Sequence, residues 1–526
     1  MIKNTILVAC AMIFGLSLNA QVNPKVLNWY NGGGSGMQTD KAYKKLRKRS
    51  TETVIVAVID SGVDVEHEDL AGKIWVNTDE IAGNGIDDDN NGFIDDVHGW
   101  NFLGNTNGEN VDGANLEKTR IFRKLDEKFA DSDGAGLTGE AKEEYDLYTK
   151  VKAEITSEKG MYTQYISYMD MLPQMIAAVP AQVAEKLGKE DYTEKDLDKW
   201  EPEEQADKQL KSTALAILSG QLSEESIASQ KKSLQTMLDF NLNPEFDERK
   251  IIGDNPNDFS DTKYGNNNYE GPDAFHGTHV SGIIAANRGN GLGGDGVATD
   301  VKIMVLRAVP NGDEADKDIA LAVRYAADNG AQIINMSFGK GYSPHAQEVY
   351  EAFKYAESKD VLVVHAAGND GSNLDNASNF PTSSYSFQTK PFELFLTIGS
   401  STRFKKGKVA SSFSNYSSTK VDIFAPGSEI YNTTPNNEYK EIQGTSMACP
   451  MVAGVAAMLK SYFPTLTMKE IKNVILETGT SYAGKMHIQP GGDEEVDFAT
   501  LSTTGKVVNV KNAVKACKAL EKAKNN

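Results

Sequence analysis

Hydrophobic residues fall into two kinds of segment that alternate along much of the chain. One kind is a short, nearly continuous apolar run, found at 53–59, 302–306, 333–336, 361–365 and 393–398. The other repeats apolar residues every three or four positions, at 276–286, 316–329, 346–359, 467–477 and 510–524. Continuous runs are typical of strands buried on both faces of a parallel sheet, and periodic segments are typical of helices. The alternation predicts an α/β fold, with a parallel sheet, helices on both faces and right-handed crossovers.

Residues 105–250 interrupt this alternation. Glycine becomes rarer there, lysine, glutamate and methionine dominate, and helix-like spacing appears at 141–156, 161–178 and 210–240, with Pro173 and Pro180 as expected breaks. We therefore predict a mainly helical insertion, 105–250, that divides the α/β domain into a first part, 21–104, and a remainder, 251–526. The methionines and tyrosines of 161–172 are expected to form the core of the insertion.

The first twenty residues form a separate segment. Lys3 precedes the apolar stretch 6–18, and Asn19-Ala20-Gln21 follows it. This order is typical of a secretory signal peptide, residues 1–20, and predicts a mature chain exported to the periplasm or the extracellular space. A lipoprotein cleavage box at 7–10 is the alternative, but it lies too close to Lys3 to leave room for an apolar core. No later run approaches the roughly 20 apolar residues of a membrane span, so we expect no membrane insertion of the mature chain.

Composition narrows the classes of partner. The chain has 526 residues, of which 40% are hydrophobic, and its formal net charge is −20. A chain of this length can bury a large core, and its excess of carboxylates argues against nucleic-acid binding. Clustered carboxylates are also candidate ligands of divalent cations.

One such cluster lies at 84–96, where oxygen ligands recur at alternate positions around Gly92. The residues that fit the first nine positions of a calcium loop of the EF-hand type are Asp87, Asp89, Asn91, Phe93 through its carbonyl, and Asp95. The twelfth position holds His98 instead of glutamate, so Asp96 or a more distant carboxylate would complete the shell. We predict a structural calcium site, with a solvated acidic turn as the alternative.

Three polar residues stand at the ends of predicted elements. Asp60 follows the run 53–59, His276 opens the helix 276–286, and Ser446 precedes the apolar run 451–459. Taken singly, each has an ordinary structural role, such as a turn or a helix cap. Together they supply what acyl transfer by a serine requires, because the hydroxyl needs an imidazole base and the imidazole needs a carboxylate to hold its tautomer. We predict that the three side chains meet at one edge of the sheet.

The motifs around these residues resemble those of the subtilisin-like serine proteases, the subtilase family. They read Asp60-Ser61-Gly62-Val63-Asp64, His276-Gly277-Thr278-His279-Val280-Ser281-Gly282 and Gly444-Thr445-Ser446-Met447-Ala448-Cys449-Pro450. The order Asp, His, Ser is that of the family, and the resemblance spans roughly 54–102 and 272–476. It implies a subtilisin-like fold and an endopeptidase that hydrolyses peptide bonds without a catalytic cofactor. Ser446 would carry the acyl group, with His276 as general base and Asp60 as orienting carboxylate.

The same resemblance implies further site residues. Asn369 matches the asparagine of the oxyanion hole, whose amide would stabilise the tetrahedral intermediate together with the N–H of Ser446. An extended edge that pairs with the substrate backbone would be formed by Ser337, Phe338 and Gly339. The pocket for the residue before the cleaved bond would be lined by Ala366, Ala367 and Gly368.

The chain departs from the family pattern between Asp60 and His276, which are 216 positions apart, several times the usual separation. That span holds the acidic loop and the insertion, and we expect the insertion to be a separate folding unit at the rim of the site. The sequence therefore predicts an exported endopeptidase that acts on polypeptides. Its rival is a non-enzymatic, calcium-stabilised binding or adhesion protein on the same scaffold, which would have no use for a complete set of catalytic residues.

Overall fold

The computed structural model describes residues 25–405 and 407–526. The predicted signal peptide lies outside the described residues, and its cleavage stays a prediction. Within the described ranges no helix combines the length and the apolar character that crossing a bilayer demands.

Strands occur throughout the chain outside the helical insertion. They are β1 Val54–Asp60, β2 Gly99–Asn101, β3 Val301–Arg307, β4 Ile333–Met336, β5 Leu362–Ala366, β6 Phe395–Ser401, β7 Ile423–Pro426, β8 Ile430–Thr434, β9 Glu438–Ile442, β10 Thr480–Ser481, β11 Met486–Ile488, β12 Glu495–Asp497 and β13 Lys506–Val507.

Helices connect the strands and fill the insertion. They are α1 Thr39–Leu46, α2 Glu117–Phe129, α3 Gly139–Leu187, α4 Glu194–Lys199, α5 Gln205–Leu218, α6 Glu224–Thr236, α7 Arg249–Ile252, α8 Phe275–Ala285, α9 Asp316–Asp328, α10 Ala346–Ser358, α11 Thr445–Tyr462, α12 Met468–Thr478 and α13 Val510–Lys524.

Nine strands form one sheet in the order β10-β13-β7-β6-β5-β4-β1-β3-β2. Neighbouring strands run parallel, except for the antiparallel pair β10 and β13 at one edge. The predicted α/β fold with a mostly parallel sheet is thus confirmed. Strand β1 lies between β3 and β4, where the order of strands reverses, and sites in open α/β sheets form beyond the carboxyl ends of such strands.

Each face of the sheet packs against its own set of helices. In β1, Val56 and Val58 belong to a core that includes α8 and α11, whereas Ala57 and Ile59 belong to a core that includes α9 and α10. Successive side chains of a strand point to opposite faces, so a strand covered on both sides must be apolar at nearly every position. This requirement explains the continuous apolar runs in the sequence.

The chain separates into two compact units. The larger unit contains the sheet and, among the described residues, spans 25–118 and 247–526. The smaller unit spans 119–246 and is helical. Its own small core contains Val179, Val183, Leu197 and Ala214, which are buried.

The smaller unit differs from the sequence prediction in its longest helix. Helix α3 runs through Pro173 and Pro180 without ending, so the prediction of breaks there was wrong. Both prolines are exposed, and water can solvate the carbonyls that lose their N–H partners. The predicted core of methionines and tyrosines was also wrong, since Met161, Tyr168 and Met171 are exposed. At 49 residues α3 is about 70 Å long, and the shorter helices α5 and α6 cannot cover all of it.

Candidate active site

Asp60 is the last residue of β1 and is buried at the carboxyl end of the sheet. Its Oδ1 accepts a hydrogen bond from the backbone N–H of Ser61 at 2.8 Å and lies 2.7 Å from Nδ1 of His276. A carboxylate at this nitrogen holds the imidazole in the tautomer that leaves Nε2 available as a base.

His276 is the second residue of α8, and about a third of its side chain is exposed. The start of this helix lies close to the end of β1, because a Cβ on Gly277 would come within 2.1 Å of the carbonyl oxygen of Gly62. Burial alone would lower the pKa of His276, but the charge of Asp60 and its hydrogen bond outweigh burial and raise the pKa above 6.5. The imidazole is therefore a stronger base than a free histidine.

The other histidine of the motif, His279, has a different environment. It is fully buried, its Nε2 lies 3.1 Å from the carbonyl oxygen of Lys440, and burial lowers its pKa to about 3. A neutral histidine that bonds only backbone has a structural role.

Ser446 is the second residue of α11, at a helix end where backbone N–H groups carry partial positive charge. Its hydroxyl donates to the carbonyl oxygen of Ser337 at 2.9 Å, and the hydroxyl of Ser337 donates to the carbonyl oxygen of Ser446 at 2.9 Å. None of the hydrogen bonds between described residues joins Ser446 to His276. Helices α8 and α11 nevertheless pack against each other in one core.

Asn369 follows β5 and is fixed by Thr445, the neighbour of Ser446. Its Oδ1 accepts from the N–H of Thr445 at 2.8 Å and from the hydroxyl of Thr445 at 2.9 Å. The hydroxyl of Thr445 in turn accepts from the N–H of Gly368 at 3.1 Å. With its oxygen occupied in this way, the side chain leaves its Nδ2 as a donor next to Gly444 and the start of α11. Sequence reasoning missed this role of Thr445.

The predicted substrate edge, 337–339, follows β4, and the predicted pocket wall, 366–368, begins at the last residue of the neighbouring parallel strand β5. The side chain of Asn379 lies between them: its Nδ2 donates to the carbonyl oxygen of Ala366 at 3.0 Å, and its Oδ1 would lie 2.3 Å from a Cβ on Gly339. His365, in β5, also contacts the edge, because its Nε2 lies 2.8 Å from the carbonyl oxygen of Phe338. Nothing in the local sequence pattern marked Asn379 or His365 as part of this site.

Side chains of the acidic loop accept hydrogen bonds from backbone N–H groups of the same loop. Oxygens of Asp87 accept from the N–H groups of Asn91 and Gly92, and oxygens of Asp95 accept from those of Asn84 and Gly85. Further bonds link Asn91 to Asp89 and to the N–H of Phe93.

The structure groups the loop carboxylates differently from the sequence prediction. Asp87 and Asp89 each place an oxygen within 4.8 Å of one on Glu80, whose side chain is buried. Burial and the nearby charges of Asp96 and Asp89 raise the pKa of Glu80, although backbone N–H groups of the loop donate to it. Three oxygens from carboxylates at this spacing fit a hard cation such as calcium. Glu80 was missed because it lies upstream of the alternating pattern.

Comparison with known proteins gives a consistent result. A model of the subtilase family matches residues 51–500. The chain is 37% identical over 253 residues to the thermophilic serine proteinase of Bacillus sp. (strain AK1), a match covering 48% of this chain and 56% of that protein. It is 36% identical over 233 residues to the cell wall-associated protease of Bacillus subtilis (strain 168), covering 44% of this chain and 24% of that protein. With subtilisin DY of Bacillus licheniformis the identity is 32% over 220 residues, covering 41% of this chain and 74% of subtilisin DY. The chain thus spans about half the length of the first of these relatives and about a quarter of the second.

Proposed function

The chain belongs to the subtilase family, as its motifs predicted, and on this premise we propose that it is a serine endopeptidase acting through an acyl-enzyme on Ser446. The observation that carries the proposal is the 2.7 Å contact between Asp60 and His276. His276 lies on α8, and α8 packs against α11, the helix whose second residue is Ser446. A pure binding protein needs no base of raised pKa at this position. The complete set of groups for acyl transfer therefore favours an enzyme over the rival scaffold protein.

In the proposed mechanism the hydroxyl of Ser446 rotates from Ser337 and attacks the carbonyl carbon of the scissile peptide bond. Nε2 of His276 takes the hydroxyl proton, and Asp60 stabilises the imidazolium that forms. The oxyanion accepts hydrogen bonds from Nδ2 of Asn369 and from the N–H of Ser446. His276 then gives its proton to the leaving amine, and a water molecule hydrolyses the acyl-enzyme by the same two steps.

The proposed substrate is an extended polypeptide. Gly339 is exposed and Phe338 is partly exposed, at the end of β4, where a peptide backbone can add as a further strand. The proposed pocket wall lies at the end of the neighbouring strand β5, where Ala366 and Ala367 are buried and Gly368 is partly exposed. The amide of Asn379 links this wall to Gly339. Main-chain pairing would give affinity with little demand on most substrate side chains.

We assign a structural calcium ion to the acidic loop. Glu80, Asp87 and Asp89 supply carboxylate oxygens, and Asn91 lies next to them through its bonds to Asp87 and Asp89. Bound calcium would neutralise the repulsion between these carboxylates and stabilise the loop. Phe93 and Asp95, the other predicted ligands, are held by bonds within the loop.

Export completes the proposed function. It rests on the predicted signal peptide, and the Bacillus subtilis relative is named as cell wall-associated. Expression of the full chain with N-terminal sequencing of the exported product tests it, and the expected first residue is Gln21.

The decisive experiment is labelling of the purified protein with diisopropyl fluorophosphate, followed by mass spectrometry of the labelled peptide. We expect one label, on Ser446, and hydrolysis of casein that falls by about 10⁶-fold in Ser446→Ala. An unlabelled, folded protein that leaves casein intact with calcium present would refute the proposed endopeptidase. Casein hydrolysis that persists in Ser446→Ala would overturn the mechanism.

A further inference from the structure

The proposed substrate edge, Ser337–Gly339, is followed directly by a buried lysine. The Nζ of Lys340 lies 2.7 Å from Oε2 of Glu117, 2.8 Å from Oδ1 of Asp316 and 2.8 Å from the carbonyl oxygen of Glu314. Only 2% of the lysine side chain is exposed. Lysine is rarely buried in this way unless its charge is paired, and here two carboxylates pair it.

The backbone of Lys340 is held as well. Its N–H donates to the carbonyl oxygen of Phe380 at 3.0 Å, and the N–H of Phe380 donates back to its carbonyl at 2.8 Å. Asn379, which precedes Phe380, lies against Gly339. The residue that follows the substrate edge is therefore fixed twice: Glu117 and Asp316 bind the side chain of Lys340, and Phe380 binds its backbone.

The two carboxylates come from different parts of the larger unit. Asp316 is the first residue of α9, and its carboxylate also accepts from the hydroxyl of Ser343 and the N–H of His345. Glu117 is the first residue of α2, and its N–H donates to Asp313 at 2.7 Å. The helical unit begins only two residues later, at Thr119. The chain thus places an anchor of the substrate edge at the root of the insertion.

We propose that Lys340 is a positioning residue, which Glu117 and Asp316 hold so that Ser337–Gly339, the segment that follows β4, keeps the conformation in which it pairs with substrate backbone. The inference rests on the proposed function, because it concerns substrate binding at that same site. It makes the affinity for long substrates depend on a residue at the root of the insertion. Ser337 is held to Ser446 by its own two hydrogen bonds, so we expect loss of the anchor to loosen the edge mainly at Phe338 and Gly339. Attack of Ser446 on a small ester or fluorophosphate forms no backbone pairing with those two residues.

The test compares substrates of different length in the full chain. Peptide p-nitroanilides of one and four residues, matched in the residue before the cleaved bond, measure how much the edge contributes to kcat/KM. In Lys340→Met we expect the advantage of the longer substrate to fall about tenfold, mainly through KM, since roughly one to two backbone hydrogen bonds are lost. Glu117→Gln should change the advantage in the same direction by a smaller factor, because a neutral amide still accepts from the ammonium.

Lys317→Met is the matched control. Lys317 is the next residue after Asp316, is fully buried and pairs with Asp254 at 3.0 Å, so its loss removes a comparable ion pair that does not touch the edge. We expect it to lower the melting temperature and leave the length dependence unchanged. The rate of labelling by diisopropyl fluorophosphate should be the same in all folded variants.

The outcomes separate this inference from the proposed function. If Lys340→Met lowers kcat/KM for both substrates and the labelling rate by one common factor, or if Lys317→Met changes the length dependence equally, the anchor is merely structural and the inference is wrong. An unchanged advantage of the longer substrate in folded Lys340→Met would also contradict the inference. If Lys340→Met does not fold, the same measurement on Glu117→Gln tests the inference, and an unchanged advantage there would contradict it. A wild-type protein that neither labels nor cleaves would instead refute the proposed function.

Discussion

Nδ1 of His276 lies 2.7 Å from Oδ1 of Asp60, although 216 positions separate the two residues in the chain. Two local contacts bring the elements together: Gly277 packs against the carbonyl of Gly62, and the N–H of Asp64 donates to the hydroxyl of Thr278 at 2.9 Å. The pair thus depends on how one helix start meets one strand end. None of these contacts involves a residue of the helical unit, 119–246.

The first prediction concerns the pH dependence of activity. Asp60 raises the pKa of His276 above 6.5, and the base works only when deprotonated, so kcat/KM should rise with pH through a value above 6.5. In Asp60→Asn the carboxylate charge is lost and burial lowers the pKa, so this limb should shift to lower pH while kcat falls by about 10⁴.

Asp328→Asn is the control for that shift, because Asp328 pairs with Lys359 at the surface. Its profile should match that of the wild type. If the acid limb of Asp60→Asn lies at the same pH as that of the wild type, a group other than His276 titrates in that limb.

The second prediction concerns the oxyanion donor. Removing the amide in Asn369→Ala should lower kcat by about 10²–10³ and leave KM nearly unchanged, because the bond forms only in the transition state. Thr445→Val removes the hydroxyl that holds Oδ1 of Asn369 but keeps the backbone donor, so its loss should be smaller. Steady-state kinetics on one peptide p-nitroanilide measures both. A larger effect on KM than on kcat in Asn369→Ala would contradict an oxyanion role.

These residues show how far the sequence could reach. The roles proposed for Asp60, His276 and Ser446 come from the resemblance of their motifs. Their positions at the ends of elements were predictable, because the apolar patterns of β1, α8 and α11 are strong. The contacts of Thr445 and Lys340 were not, since their partners Asn369 and Glu117 are 76 and 223 positions away. Such contacts depend on strand order and register, which local patterns leave open. The same limit applies to Glu80, which joins the acidic loop from outside its alternating ligands.

The third prediction concerns calcium. If the ion binds only the folded protein, calcium at 100 times its Kd should add about 2.7 kcal/mol to the free energy of unfolding, and chelation at matched ionic strength should lower the melting temperature. Glu80→Gln, Asp87→Asn and Asp89→Asn should each reduce the calcium-dependent shift. Asp88→Asn is the neighbouring control, since that carboxylate binds the N–H of Ile81 and the amide of Asn84. Calorimetry that finds the same melting temperature with calcium and with chelator would refute the site.

The last prediction is that the larger unit folds without the helical unit. Its two chain segments lie side by side where the insertion begins and ends: the amide of Asn105 donates to the carbonyl of Ile251 at 2.8 Å, and the N–H of Asn115 donates to Glu248 at 3.3 Å. Among the described residues, the buried apolar clusters on the two faces of the sheet draw their members from 25–118 and 247–526. Joining Lys118 to Asp247 by a short glycine-serine linker therefore closes a small gap at little entropic cost and keeps Glu117 for Lys340.

We expect this shortened variant to melt cooperatively, to be labelled at Ser446 and to cleave a short peptide p-nitroanilide at a rate close to that of the full chain. The informative quantity is the ratio of activity on a folded protein to activity on that peptide. Because the insertion joins the strand of Asp60 to the helix of His276 in the chain, we predict that its removal changes this ratio. A full-chain protein with Ser446→Ala gives the background for both assays. If the variant is folded and labelled but the ratio is unchanged, the insertion does not control access of substrates; if it fails to fold, the larger unit depends on residues 119–246 for its stability.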